Sequence, residues 1–130
     1  MPEVESAIIS KLLGDSSITN LVQDRIYFSE APQGVLNAYA VINRISSPRV
    51  HSLTGPSGLV KARIQIDIYA YSAMTARTIG RAIEAILDGL REIIITVNIQ
   101  AILLLDEFDG YEEGPELKRL IQDYRVWYQA

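Results

Sequence analysis

Ten consecutive residues, Lys61 to Ala70, do most to limit the architectures open to this chain. They read Lys-Ala-Arg-Ile-Gln-Ile-Asp-Ile-Tyr-Ala. Successive side chains of an extended strand point to opposite faces. Ala62, Ile64, Ile66, Ile68 and Ala70 therefore share one face, and Lys61, Arg63, Gln65, Asp67 and Tyr69 share the other. Such strict alternation predicts a strand with one face in a core and the other turned to water or to a partner. No segment marks a catalytic site with comparable clarity, so the sequence points to a function of contact rather than of chemical conversion.

The flanking segments supply elements to cover that face. Glu3 to Leu13 reads as a helix, with Val4, Ile8 and Leu12 on one stripe widened by Ile9 and Leu13. Gly14 is placed to end it in the left-handed conformation. Asp15, Ser16 and Ser17 offer N-cap oxygens to a short second helix through Leu21 and Val22. Arg25–Phe28 and Tyr39–Ile45 read as strands, separated by a turn at Pro32 and Gly34. Ser46 to Gly58, with Pro48, Gly55, Pro56 and Gly58, reads as a long loop between two strands. Ser72 caps a helix from Ala73 to about Asp88, with Ile79, Ile83, Ile86, Leu87 and Leu90 on its apolar stripe. Ile93–Val97 and Ile99–Leu105 read as one strand bent near Asn98, and Phe108–Pro115 as an acidic loop. Lys118 to Tyr128 closes the chain as a strand, Leu120, Tyr124, Val126 and Tyr128 facing one way and Arg119, Ile121, Asp123, Arg125 and Trp127 the other. The expectation is an α+β fold in the order α-α-β-β-β-α-β-β: a mostly antiparallel sheet of four to five strands with helices on one face.

A length of 130 residues fits a single domain, 1–130. The chain has no cysteine, which removes disulfides, thiolate metal sites and cysteine nucleophiles. No apolar run approaches the ~20 residues that cross a bilayer, so no membrane partner is expected. The opening Met-Pro-Glu-Val-Glu lacks the basic stretch of a secretory signal, which points to the cytoplasm unless the chain is built into a larger particle. A net charge of −4 argues against a dedicated nucleic-acid binder. The charge is unevenly spread: Arg44, Arg49, Lys61 and Arg63 are the only charges between Ala31 and Ile66, while Asp106, Glu107, Asp109, Glu112, Glu113 and Glu116 cluster in one segment. The two segments read either as solvated loops or as surfaces that attract each other between copies.

A search for chemistry returns little. His51 is the sole histidine, and a protein metal site needs several converging ligands. A Gly-x-Ser-x-Gly elbow is missing, so His51 reads as a surface or partner-contact residue. Asp106-Glu107-Phe108-Asp109-Gly110 fails the alternation of a calcium loop, because Phe108 and Gly110 occupy ligand positions. Gly55-Pro56-Ser57-Gly58 lacks the Gly-Lys-Ser/Thr ending of a phosphate loop. Tyr124, Trp127 and Tyr128 have the chemistry to stack on bases but read as core and interface residues. No cofactor and no enzymatic activity are expected.

Five segments in series carry a resemblance. They are Asp24-Arg-Ile-Tyr27 with Ala31-Pro-Gln-Gly34; Tyr39-Ala-Val-Ile42 leading to Ile45-Ser46; His51-Ser-Leu-Thr-Gly-Pro-Ser-Gly-Leu59; Arg63-Ile-Gln-Ile-Asp-Ile-Tyr69; and Asp123-Tyr-Arg-Val-Trp-Tyr128. In this order and spacing the chain, from about Ile8 to Tyr128, resembles the tail-completion or tail-terminator proteins of long-tailed bacteriophages, prophages and gene transfer particles. The resemblance implies a structural virion protein. A ring of copies, typically six, would cap the head-proximal end of the tail tube, stop its polymerisation and meet the head connector or stopper protein. Its partners would be further copies of itself, the tail-tube protein and the connector, with DNA only as cargo passing through the channel. Its location would be the head–tail junction, after assembly in the host cytoplasm. An acidic ring suits such passage, since tight phosphate contacts depend on many cations. We expect Arg49, His51, Leu53, Thr54, Gly55, Pro56 and Gly58 to form a loop reaching a neighbouring ring or the lumen. Lys61, Arg63, Asp106, Glu107, Asp109, Glu112 and Glu113 are the candidate subunit-contact charges. A small protein-binding adaptor acting outside any particle is the alternative, and an Asp/Glu hydrolase, for which no converging pocket is visible, is a third.

Overall fold

A computed structural model describes residues 3–32, 34, 37–52, 55–110 and 117–129. Three helices and seven strands follow in the order α1 (Val4–Leu13), α2 (Ser16–Val22), β1 (Ile26–Phe28), β2 (Tyr39–Ser46), β3 (Arg49–Ser52), β4 (Gly55–Ala70), α3 (Ala73–Leu87), β5 (Glu92–Ile94), β6 (Val97–Gly110) and β7 (Lys118–Gln129). All seven strands form one sheet ordered β1-β2-β4-β7-β6-β5, with β3 beside β4 on the side that β2 occupies further along. The pairing is antiparallel except between β1 and β2, which run parallel.

The alternation in β4 produces the expected sidedness. Ala62, Ile64, Ile66, Ile68 and Ala70 are fully buried and join one cluster with helix residues Val4, Ile8, Leu12, Ile18, Ile79, Ile83 and Leu87. Burying each such isoleucine contributes roughly 1.5–3 kcal/mol, enough for these contacts to dominate local propensity. β7 divides as its sequence predicts, Leu120, Tyr124, Val126 and Tyr128 entering the same cluster. The helices thus cover one face, called here the inner face. α3 lies close against β7 at Gly80, where an added Cβ would sit 2.9 Å from Leu120 Cδ2.

Several local expectations change. Gly14 keeps a right-handed φ of −81° instead of adopting the left-handed cap; its N–H bonds to Ser10 O, and the Asp15 N–H bonds to Leu12 O, both at 3.1 Å. Asp15 is the N-cap of α2, accepting from the Ser17 N–H. The expected bent strand at Ile93–Leu105 is a hairpin: β5 and β6 meet through Ile95 and Thr96, both at positive φ (48° and 65°). A two-residue type I′ loop needs this geometry, which is rare for β-branched side chains. The long loop at Ser46–Gly58 is largely strand, because β3 pairs with the start of β4 through Arg49↔Val60, His51↔Pro56 and Ser52↔Gly55. Phe108, Asp109 and Gly110, expected in an acidic loop, instead pair with Ile121, Leu120 and Arg119 of β7, and the rest of that expected loop up to Pro115 lies outside the described residues.

Candidate assembly interface

The register sets the shape from which contacts can be made. β4 has 16 residues and spans roughly 50 Å. Its pairing with β7 starts at Leu59↔Gln129, so among the described residues Gly55–Gly58 have β3 alone as a strand neighbour and extend past the sheet as a two-stranded arm. Ala70 pairs with Lys118 at the other end of β4, where Gly110 of β6 pairs with Arg119. The arm lies at one end of the sheet on the β2 side. The far end of β6 lies at the opposite end on the β5 side. The two are diagonal corners of one sheet.

The candidate residues divide between these corners. Arg49 and His51 lie on β3, and Gly55, Pro56 and Gly58 on the arm portion of β4. Lys61 and Arg63 follow on the outer face, the one away from the helices, and the Lys61 N–H donates to Pro48 O at 2.9 Å. Asp106, Glu107 and Asp109 lie on β6 at the opposite corner. Leu53, Thr54, Glu112 and Glu113 fall outside the described residues. Arg49 and His51 on the arm are thus held apart from Asp106, Glu107 and Asp109, whereas Arg63 reaches Asp123, the residue opposite Asp106.

The acidic residues do not all face the same way. Glu107 turns to the inner side, where Arg81 of α3 and Gln122 both donate to it. Its hydrogen bond leads the causes that raise the Arg81 pKa, against the effect of burial. Asp109 accepts from Arg77 of α3 at 2.8 Å. These bonds tie β6 to α3. Asp106 belongs to the outer face and sits directly opposite Asp123 of β7. Like charges so placed disfavour the pairing. Asp123 is only 4% exposed. Its Oδ2 accepts from Arg63 at 2.9 Å, while its buried Oδ1 has no hydrogen-bond partner among the described residues.

The rest of the outer face is more nearly closed. Asp67 accepts from Arg119 and from Gln65, at 2.8 and 2.9 Å. Tyr39 stacks on Tyr69 with ring centroids 4.7 Å apart, and Tyr27 meets Tyr39 edge-on at 5.9 Å. Ser29, Glu30, Pro32 and Gly34 border an open depression of about 370 Å³ beside Tyr39, Tyr69 and Asp67. The sequence reading missed Asp123 and Asp67 as interior carboxylates. The signal was present in the alternation of β7 and β4, which puts both among large neighbours, but not in any motif.

One strand edge is left without a partner strand among the described residues. β5 pairs with β6 only over Val97–Ile99, and the turn after α3 covers the next stretch through Gly89 N–H to Ile102 O and Leu104 N–H to Asp88 Oδ1. From Leu105 to Gly110 the edge of β6 away from β7 has no strand neighbour among the described residues. Leu103, Leu105 and Phe108 around it are 45%, 50% and 44% exposed. Three acids lie in this six-residue edge, and Asp106 Oδ1 already accepts the Glu107 N–H at 2.8 Å, so the edge is blunted by charge.

Among the described residues no group of three or more His, Cys, Asp or Glu is placed to hold a metal ion. No helix among them is long and apolar enough to cross a membrane.

Residues 6–129 match a family model described as "Tail completion protein gp17". No curated protein sequence matches the chain. Among solved structures, a chain of the "Virion of native gene transfer agent (GTA) particle" superposes with a TM-score of 0.84 at 16% identity, covering 98% of this chain and 95% of that one. At that identity the likeness is one of fold.

Proposed function

We propose that this chain, which belongs to the tail completion protein gp17 family, acts as one wedge of a ring, typically of six copies, that caps the head-proximal end of a tail tube. The ring stops tube polymerisation, meets the head connector and lets DNA pass through its centre. The observation that carries this reading is the diagonal placement of the basic arm and the acidic β6 corner. Two different complementary patches on one molecule make a heterologous contact, and a heterologous contact whose rotation closes generates a ring. Opposite charge across such a contact sets register and partner choice more than affinity.

The arm, which stands clear of the helix-covered body, is the part suited to reach a neighbouring ring or the lumen. Deleting Val50–Ser57 tests this. Arg49 already pairs with Val60, so the deletion leaves Gly58-Leu59 as a two-residue hairpin loop. Gly58 has a φ of +79°, as the first central position of a type II′ turn requires. The variant should keep its circular dichroism and melt within a few degrees of the parent, while tails fail to join heads. Normal yields of complete, DNA-delivering particles from the variant would refute the proposal.

A further inference from the structure

We infer that the outer face of β6 and β7 is a two-fold contact with a second copy of this chain, in which Arg125 of each copy meets Asp106 of the other. The inference goes beyond the ring reading and does not depend on it, because the ring needs a heterologous contact and this one is isologous. The register places the groups in rows. On the outer face Ala101 pairs with Trp127, Leu103 with Arg125, Asp106 with Asp123 and Phe108 with Ile121, in that order from the arm end. The same face sets Arg63 directly opposite Arg125 across β4 and β7. A pair of cations and a pair of acids thus occupy adjacent rows, and each like-charged pair disfavours the strand pairing it sits in. One bond between the rows, Arg63 to Asp123 at 2.9 Å, satisfies one member of each pair. Arg125 and Asp106 are left over. Neither has an ion-pair partner among the described residues, and Asp106 accepts a backbone bond from the Glu107 N–H.

A half-turn closes what is left. Its axis lies across the strands, between the row of Leu103 and Arg125 and the row of Asp106 and Asp123. Such a rotation lays the cation row of each copy over the acid row of its partner. Arg125 then stands one strand spacing, about 4.8 Å, to the side of the partner's Asp106, within the reach of an arginine side chain. The symmetry makes this pairing twice. The flanking rows also match. Phe108, 44% exposed, falls over the small Ala101 of the partner, and Ile121 falls over the partner's half-buried Trp127. Leu103, 45% exposed, is covered beside the axis. Interdigitation of large with small side chains is how two sheet faces pack about 10 Å apart. The helices lie on the inner face, so no described element stands in the way. An apolar strip whose two ends carry opposite charge fits a reversed copy of itself, whereas a partner of one charge would satisfy only half of it.

The absence of cysteine from the chain makes the test clean. Analytical ultracentrifugation of the free chain should find a dimer. Oxidised Leu103→Cys should give covalent dimers and nothing larger on a non-reducing gel, since only a two-fold axis brings a residue to its own copy. Arg125→Glu and Asp106→Arg should each weaken the dimer by about tenfold or more. Mixed one to one, the two variants should regain the parent's affinity, because each substituted charge then meets its opposite across the axis. Both should keep the parent's circular dichroism and cooperative melting, since each reverses one member of a like-charged pair, which separates lost pairing from lost folding. A parent that stays monomeric at high concentration would overturn the contact, as would a dimer that keeps its affinity in both reversals. A mixture that stays dissociated would overturn it too, because Arg125 and Asp106 would then act within one chain.

Discussion

The two faces of this sheet treat buried polar groups in opposite ways. On the helix-covered face such groups are closed within the chain. Gln122 is fully buried, and its amide donates to Gly80 O at 3.0 Å and to Glu107 at 2.9 Å, while its carbonyl accepts from the Tyr124 hydroxyl at 2.9 Å. Burial, with help from nearby acids, pushes the Tyr124 pKa well above the usual phenol value, so the hydroxyl stays a donor. Glu5, 3% exposed, is held by Arg44. Burial opposes the Arg44 charge, but hydrogen bonds to Glu5 and Glu3 outweigh it and raise its pKa. On the outer face, by contrast, Asp123 keeps an unfilled acceptor opposite a second carboxylate. The helix-covered face specifies the fold, and the outer face keeps one buried acceptor that no described residue fills.

The largest effect should come from opening what the inner side has closed. Arg44→Met leaves Glu5 buried without its cation, and breaking a buried pair from one side costs on the order of 3 kcal/mol. The pair, not the charge, is what matters, so Glu5→Leu/Arg44→Met should recover most of that loss. Urea titration of the single and double variants measures both quantities. If the single variant matched the parent, closure on the inner side would have no energetic weight and the contrast between the faces would fail.

A smaller loss sharpens the same point. Gln122→Ala strips the partner from the buried Tyr124 hydroxyl and one donor from Glu107, at about 1–3 kcal/mol. Tyr124→Phe in that background should restore part of the loss by removing the stranded donor. Chemical denaturation of the pair, read as a double-variant cycle, isolates the coupling. Independent, additive effects would show that Gln122 and Tyr124 do not act as a unit.

How far the sequence revealed this contrast follows from what each feature depends on. The sidedness of β4 and β7 depends only on alternation, and α1 and α3 on helical spacing, so all four were legible. The parallel pairing of β1 with β2 depends on a crossover that the short segment Ile26–Phe28 does not advertise. The β5–β6 turn was hidden because Ile95 and Thr96 take positive φ without the Gly or Asn that normally signals it. The arm was hidden because Pro and Gly read as loop although β3 pairs there. The Asp106–Asp123 opposition depends on a β6–β7 register carrying two irregularities, between Ile99 and Ala101 and between Leu104 and Asp106. A sequence shows both charges but not that they face each other.

The smallest predicted effect belongs to neither face and gauges how small a surface contribution is. Asp15 caps α2 from the surface: its carboxylate accepts from the Ser17 N–H at 2.9 Å and from the Ser17 hydroxyl at 2.7 Å. Those bonds favour the charged form and lower its pKa below the usual 3.8. A group whose folded pKa is depressed binds its proton more readily when unfolded, so stability rises with pH through this range. The contribution is therefore complete above the ordinary aspartate pKa and fades as pH falls past it towards the lower folded value. Asp15→Asn keeps a capping oxygen but no titration. Its melting temperature should lie slightly below that of the parent at neutral pH, and the gap should close in acid below the ordinary aspartate pKa. A gap of constant size down to the acid limit would mean that the charge of Asp15 plays no part, and that the cap works through its oxygen alone.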